Sequence, residues 1–76
     1  EKLLERIRRG DSDYGIRFDD LRNLLKELGF TETISGSHHV LRRPGCGIIN
    51  LQPAGKDAKG YQVRQVRKIL TAAKLL

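Results

Sequence analysis

Residues 18–30 read FDDLRNLLKELGF, and they decide the fold because they form the clearest element of the chain. Phe18, Leu21, Leu24, Leu25 and Leu28 recur at steps of three and four residues, which predicts the apolar face of an α-helix. Two aspartates in its first turn suit the helix dipole. The closing Leu-Gly-Phe supplies a glycine where helices commonly turn left-handed. The stretch therefore predicts an amphipathic helix that stops at this glycine.

Downstream of this helix, three short runs have the composition of β-strands. Residues 30–35, 38–43 and 48–52 are rich in β-branched and apolar side chains and are too short for helices. Turn signals separate them, namely Gly36-Ser37 and the sequence PGCG at 44–47. Connections this short predict a three-stranded antiparallel meander.

The two ends of the chain also predict helices. Residues 1–9 have a helical apolar face and stop at Gly10, residues 53–60 predict a loop, and residues 61–76 predict a closing helix. Because one face of a small sheet must be covered, we expect an α+β fold with the two longer helices on one face. The first helix is expected at an edge of the sheet, and the other face is expected to be free.

Charge is unevenly distributed along the 76 residues. Residues 1–35 carry seven Lys/Arg against eight Asp/Glu, whereas residues 36–76 carry eight against one, which gives the net charge of +6. This asymmetry favours a polyanion or an acidic protein as the partner. Solvated surface lysines would produce the same pattern.

Composition also narrows the class of protein. The length predicts a single domain, and no apolar run approaches the roughly 20 residues of a membrane span, so no membrane partner is expected. Cys46 is the only cysteine, which predicts neither an internal disulfide nor a zinc site. Together with the lack of a secretory leader at the N-terminus, this predicts a reducing, cytoplasmic location.

His38 and His39, the two histidines, begin the basic half of the chain. Histidine is the usual proton carrier near neutral pH. Successive side chains of a strand point to opposite faces, so we expect His38 to share a face with Val40 and Arg42, and His39 to share the other with Leu41. A joint acid/base pair or a joint metal site is therefore disfavoured. With one carboxylate in residues 36–76, a Mg²⁺-dependent nuclease site is not predicted either.

Metal-free chemistry with one histidine remains. RNA supplies its own nucleophile, the 2′-hydroxyl, so one base can start transesterification while cations stabilise charge on the phosphorus. Gly36 and Ser37 would let a phosphate approach the backbone. The candidate cations near them are Arg42, Arg43, Lys56 and Lys59. A surface histidine on a non-catalytic RNA-binding sheet, and a domain that only docks an acidic protein, are compatible with the same residues.

Four motifs follow one another in a distinctive order: residues 18–30, Gly36-Ser37-His38-His39, Gln52-Pro53, and YQVRQVRKIL at 61–70. In this order and spacing, the sequence from residue 18 to about 70 resembles the HicA toxins of bacterial toxin–antitoxin systems. The resemblance implies a double-stranded-RNA-binding-domain-like fold of order α-β-β-β-α. Residues 17–76 would then be the HicA-like core, and residues 1–16 an extension that adds an N-terminal helix.

The same resemblance implies the activity. HicA toxins are mRNA interferases, endoribonucleases that need no metal or other cofactor, and a HicB-type antitoxin binds the toxin and masks its site. The histidine of Gly-Ser-His is the catalytic one in the family, and it corresponds to His38, with Gly36 and Ser37 in the same motif. Many members carry a second histidine shortly after the proline that ends the third strand, where this chain has Ala-Gly-Lys after Pro53.

The remaining functional residues are predicted from charge and position. His39 is expected to be a strand residue that is partly buried or packs on a helix, and Tyr61 fits a packing residue at a helix start better than a base-stacking one. Arg64, Arg67 and Lys68 fit a solvated helix face, or contacts to phosphate or to an acidic antitoxin. The predicted RNA-binding residues are Gly36, Ser37, Arg42, Arg43, Lys56, Lys59, Arg64 and Lys68.

Overall fold

The computed structural model describes residues 2–76 and has the predicted α+β architecture. Glu1, which belongs to the first predicted helix, lies outside the described residues. The elements in chain order are α1 Lys2–Arg9, α2 Phe18–Glu27, β1 Thr31–Ser35, β2 His38–Arg42, β3 Ile49–Leu51, β4 Pro53–Ala54, β5 Asp57–Ala58 and α3 Gly60–Ala72. No helix in residues 2–76 is long and apolar enough to cross a membrane.

Helix α2 ends as its sequence predicts. Gly29 has a φ of +95°, and its N–H donates to the carbonyl of Lys26 at 3.0 Å. The N–H of Phe30 donates to the carbonyl of Leu25, also at 3.0 Å, which completes the Schellman motif. Phe30 is buried. This turn leads the chain directly from α2 into β1.

The three longer strands form the predicted antiparallel meander in the order β1-β2-β3. Ser35 pairs with His38 across the two-residue turn, and Gly36 takes up a φ of +59° there. In the β2–β3 ladder, Leu41 pairs with Ile49. Paired residues of an antiparallel sheet share a face, so this register fixes which side chains face the helices.

The core lies between the sheet and the helices. Helix α3 packs on β3, α2 packs on β5, and α1 packs on both α2 and α3. The first helix, expected at an edge of the sheet, has its main contacts with the other two helices. The fully buried members of the core are Ile7, Leu21, Leu25, Leu41, Ile49, Leu51, Val63, Val66 and Leu70.

Residues 53–60 differ from the predicted loop, because they contain a hairpin of β4 and β5 in which Ala54 pairs with Asp57. The backbone of the segment that leads into α2 adds two hydrogen bonds to this hairpin. The N–H of Phe18 donates to the carbonyl of Lys56 at 2.9 Å, and the N–H of Ala58 donates to the carbonyl of Ile16 at 2.8 Å. Hydrogen bonds from a distant segment therefore stabilise a pairing too short to be visible in the local sequence.

The end of α3 also differs from its prediction. The helix stops at Ala72 rather than continuing to residue 76, and Lys74 adopts a left-handed φ of +59°. The N–H of Leu75 then donates to the carbonyl of Leu70 at 2.9 Å. This turn brings the last two leucines back against the core, which a continued helix would not allow.

The N-terminal residues are part of the same core. Ile7 and Ile16 are buried in it. Arg67, predicted to lie on a solvated helix face, instead donates from Nε to the carbonyl of Ile7 at 2.7 Å and forms an ion pair with Asp13. Gly10 lies against this guanidinium, since a Cβ there would be 3.3 Å from its Cζ. Helix α1 is thus fastened to α3 by one partly buried arginine.

Candidate functional site

The two histidines lie on opposite faces of the sheet, as strand alternation predicts. His38 is exposed on the face away from the helices. His39 faces the helices, where its side chain is 13% exposed and its ring meets the Phe18 ring edge-on, with centroids 4.9 Å apart. Because they are separated by the sheet, the two imidazoles cannot act on one phosphodiester together.

His38 has an open environment beside the β1–β2 turn. The side-chain Nε2 of Gln52 lies 2.9 Å from Nδ1 of His38 and 3.2 Å from its Nε2. An amide N–H donates to an unprotonated ring nitrogen, the form that a general base needs. A Cβ at Gly36 would meet nothing within 4 Å, so the turn backbone is accessible to a ligand as large as a phosphate.

The predicted cations are dispersed around the molecule rather than gathered at His38. Arg42 shares the His38 face, but at roughly 13 Å along the strand, four residues at about 3.3 Å each. Arg43 is half-buried and lies against Gly29, with Nε 3.4 Å from a Cβ built there. Lys56 lies in the β4–β5 turn, and Lys59 precedes α3 with Nζ 5.8 Å from the centre of the Tyr61 ring.

Two further predicted cations, Arg64 and Lys68, are exposed on α3. Helix α3 covers the other face of the sheet, so neither lies on the His38 face. The structure therefore brings together Gly36, Ser37 and His38, keeps Arg42 on the same face, and leaves the other cations on separate surfaces.

A carboxylate cluster around His39 was missed by the sequence reasoning. Glu32 is 7% exposed and accepts two hydrogen bonds from Arg22, one from Nε at 2.5 Å and one from the terminal nitrogen Nη2 at 2.8 Å. Nδ1 of His39 lies 2.9 Å from Oε2 of Glu32. The hydrogen bonds from Arg22, assisted by the one from His39, lower the pKa of Glu32 to about 2 although burial opposes this. The alternation of β1 puts Glu32 on the helix face, which is the signal that would have found it.

His39 also borders a cleft of about 430 Å³. The cleft is lined by Arg17, Phe18, Asp19, Arg22, His39, Pro53, Gly55 and Lys56. Nδ1 of His39 is hydrogen-bonded to Glu32, so Nε2 is the ring nitrogen that this carboxylate does not engage. Within residues 2–76, no buried side-chain nitrogen or oxygen lacks a hydrogen-bond partner, so Nε2 of His39 is not fully buried. A carboxylate-oriented imidazole with one accessible nitrogen is chemically able to transfer protons.

Metal ligation is not favoured by the side chains that the structure describes. Over residues 2–76, no three His, Cys, Asp or Glu side chains are grouped closely enough to hold a metal ion. Cys46 is a free, half-buried thiol. The chemistry available at both histidines is therefore that of imidazole, carboxylate, amide and guanidinium groups.

Comparison with known proteins gives the family. The family model for the HicA toxin of bacterial toxin–antitoxin systems matches residues 18–75. A search of curated proteins and a search of solved structures each found no significant match. HicA toxins have a double-stranded-RNA-binding-domain-like fold, with which the helix, three-stranded meander and closing helix of residues 18–72 agree. Since the match spans most of the chain, the protein belongs to the HicA family of bacterial toxins.

Proposed function

We propose that this toxin is a metal-independent mRNA endonuclease in which His38 is the general base. The observation that carries the proposal is the position of His38. It is the histidine of Gly-Ser-His, it is exposed on the open sheet face, and it lies beside a turn whose backbone is accessible. Family membership supports the reaction class, since toxins of this family are generally ribonucleases.

The proposed reaction is a transesterification within the RNA. An unprotonated ring nitrogen of His38 takes the proton of a 2′-hydroxyl, and the 2′-oxygen forms a bond to the adjacent phosphorus. The bond from phosphorus to the 5′-oxygen breaks, and that oxygen takes a proton from water or from the protonated His38. The products are a 2′,3′-cyclic phosphate and a 5′-hydroxyl end. Gln52 holds the unprotonated ring in the free protein and gives way to the 2′-hydroxyl as RNA binds, and Arg42 contacts a phosphate farther along the strand on the same face.

We further propose that a HicB-type antitoxin binds the toxin and covers the face that carries His38. The net charge of +6 is concentrated in residues 36–76, which suits both mRNA and an acidic partner. Both partners would be met in the cytoplasm.

The alternative function is a non-catalytic RNA-binding module of the same fold. The exposure of His38 and the dispersal of the cations favour it, because catalytic sites usually enclose the reacting group. A second assignment of the base is favoured by the Glu32–His39 pair, whose ring is oriented by a carboxylate and borders a cleft.

Cleavage of single-stranded mRNA by the purified protein in excess EDTA tests the proposal. His38→Ala should abolish cleavage, and Asn50→Ala, an exposed residue on the same face of the sheet, should not. Cleavage retained by His38→Ala would remove His38 as the base, and cleavage lost only on adding EDTA would remove the metal-free mechanism. The RNA-binding module predicts no products from either protein and equal RNA affinity for both.

A further inference from the structure

The two tyrosines are unusual among the aromatic residues of this protein. Phe18 and Phe30 belong to the core, whereas Tyr14 is 73% exposed and Tyr61 is 56% exposed. The prediction that Tyr61 packs at the start of its helix was therefore wrong, since α3 buries Gln62 and Val63 instead. Both phenol rings are available to a partner.

Both tyrosines border Gly60, Tyr14 through space and Tyr61 as its neighbour in the chain. The Tyr14 ring lies so close that a Cβ on Gly60 would be 2.6 Å from Cε1 and 2.9 Å from Cζ. Tyr61 follows Gly60 directly, and Lys59 precedes it with Nζ 5.8 Å from the Tyr61 ring centre. We call Tyr14, Lys59, Gly60 and Tyr61 the tyrosine platform. Glycine is required between the tyrosines because any larger residue would displace the first ring.

Tyr14 is held in place by the N-terminal helix. The Arg6 guanidinium donates to the carbonyl of Tyr14 at 2.5 Å and, through Nε, to the carbonyl of Ser12 at 3.1 Å. The segment that carries the ring is therefore fixed by two hydrogen bonds from α1. A positioned ring loses little conformational entropy when a ligand stacks on it.

We propose that the tyrosine platform stacks unpaired bases of single-stranded RNA while Lys59 contacts a phosphate. Aromatic side chains with an adjacent cation are the means by which proteins bind single strands, since every base offers a π-face and every nucleotide a negative charge. Lys59 belongs to the strongly basic half of the chain. This proposal rests on the proposed RNA-directed function and adds a surface that holds bases away from the bond to be cut.

The tyrosines provide their own test. The chain has two tyrosines and no tryptophan, so its intrinsic fluorescence comes from the platform alone. We would titrate the protein with a single-stranded 2′-O-methyl oligoribonucleotide of about ten nucleotides, within the range of known site sizes. This probe lacks the free 2′-hydroxyl and stays intact whichever residue is the base. Base stacking should quench the emission as the probe binds.

Substitutions then assign the binding to the rings. Tyr61→Leu should weaken binding roughly 5- to 150-fold, the range expected for one stacked base, whereas Tyr61→Phe should bind like the wild type. The matched control is Ile48→Ser, because Ile48 is an equally exposed apolar residue at 57% outside the platform, and it should leave affinity unchanged.

Gly60→Ala tests the geometry without removing either ring. The added methyl would displace the Tyr14 ring while the backbone keeps its hydrogen bonds from Arg6, so affinity should fall while the melting temperature stays near that of the wild type. Tyr14→Leu should weaken binding in the same way as Tyr61→Leu. If Tyr14→Leu fails to fold, Tyr61→Leu carries the test by itself.

The outcomes separate this proposal from the one on which it rests. RNA binding without quenching, and with equal affinity in both Tyr→Leu variants, would overturn the platform and leave the RNA-directed function standing. A wild-type protein with no RNA affinity would overturn both. If the Tyr→Leu variants lose antitoxin binding and keep RNA binding, the patch is a protein interface and the stacking proposal is wrong.

Discussion

His38 and His39 are neighbours in the chain and have almost nothing else in common. His38 is exposed, and its partner is the side-chain amide of Gln52. His39 is largely buried, pairs with the Glu32 carboxylate and packs its ring on Phe18. The difference arises from the alternation of one strand. It shows that access and orientation, two requirements of a catalytic base, are divided here between two residues.

The accessibility of His38 and the fixed orientation of His39 favour different roles for the two residues. A ring held by a carboxylate and an aromatic edge contributes to stability and has a fixed tautomer. A ring held by one neutral amide can move toward a substrate at little cost. The proposed function assigns the chemistry to the accessible histidine and leaves His39 a role in stability.

The largest expected effect is on cleavage when His38 is removed. His38→Ala should lower the rate by roughly 10²- to 10⁴-fold, the usual contribution of general base catalysis. Its melting temperature should stay near that of the wild type because the side chain is exposed. Cleavage is measured with a fluorescent RNA in EDTA at one concentration of folded protein. If His38→Ala cleaves normally and His39→Ala does not, the comparison reverses and the base belongs to the Glu32–His39 pair.

The next largest effect is on stability when the Glu32 carboxylate is neutralised. Glu32→Gln breaks a buried ion pair with Arg22, and we expect a loss of about 2–3 kcal/mol at pH 7 after allowing for solvent screening. Urea unfolding at pH 7 measures this loss. Asp19→Asn is the matched control, because this exposed carboxylate contacts the same arginine and should cost less than about 1 kcal/mol.

The same variant should change the pH dependence of stability. The pKa of Glu32 falls from 4.5 to about 2 on folding, so its contribution is complete above pH 4.5 and is lost as the pH falls toward 2. Unfolding free energies of the wild type should therefore decline over this interval, and those of Glu32→Gln should decline less. Parallel curves for the two proteins would show that Glu32 is not the responsible group.

A smaller effect on stability is expected at His39. His39→Ala removes the edge-on contact with Phe18 and one hydrogen bond to Glu32, while Arg22 still pairs with the carboxylate. We expect a loss of about 1–2 kcal/mol and an unchanged cleavage rate per folded molecule. Urea unfolding combined with the RNA assay measures both quantities in one preparation.

The smallest effect is expected at Gln52. Gln52→Ala removes the hydrogen bond that orients His38, which is worth about 0.5–1.5 kcal/mol for a neutral pair. The cleavage rate should fall by at most about tenfold, and stability should change by less than about 0.5 kcal/mol. A loss of activity as large as that of His38→Ala would mean that His38 must be held in orientation by Gln52 in order to act as the base.

Local patterns of the sequence account for much of the fold. The helix stop at Gly29, the turn at Gly36 and the opposite placement of the two histidines all depend on residues within a few positions of one another. They were predictable because backbone conformation and strand alternation are local properties.

Contacts between distant segments could not be predicted. The cluster of Arg22, Glu32 and His39 depends on how α2 crosses the sheet, and the β4–β5 hairpin is completed by the α2 entry. The left-handed turn at Lys74 could not be predicted either, because the residue there is not the glycine that usually marks such a turn. The dispersal of the predicted cations has the same origin, because charge counts along a chain do not say which face of the fold each side chain occupies.

The arginine that joins the two ends of the core has a consequence for synthesis on the ribosome. Arg67 is separated from Ile7 by 60 positions and from Asp13 by 54, whereas the strands of the meander are consecutive. Contacts between consecutive strands form early, and contacts across long separations form late. At about 5–20 residues per second, the N-terminal helix must wait roughly 3–12 seconds for its partner to be translated. During that interval its apolar face is open to chaperones and proteases, so the newly made toxin is most vulnerable until Arg67 has been translated.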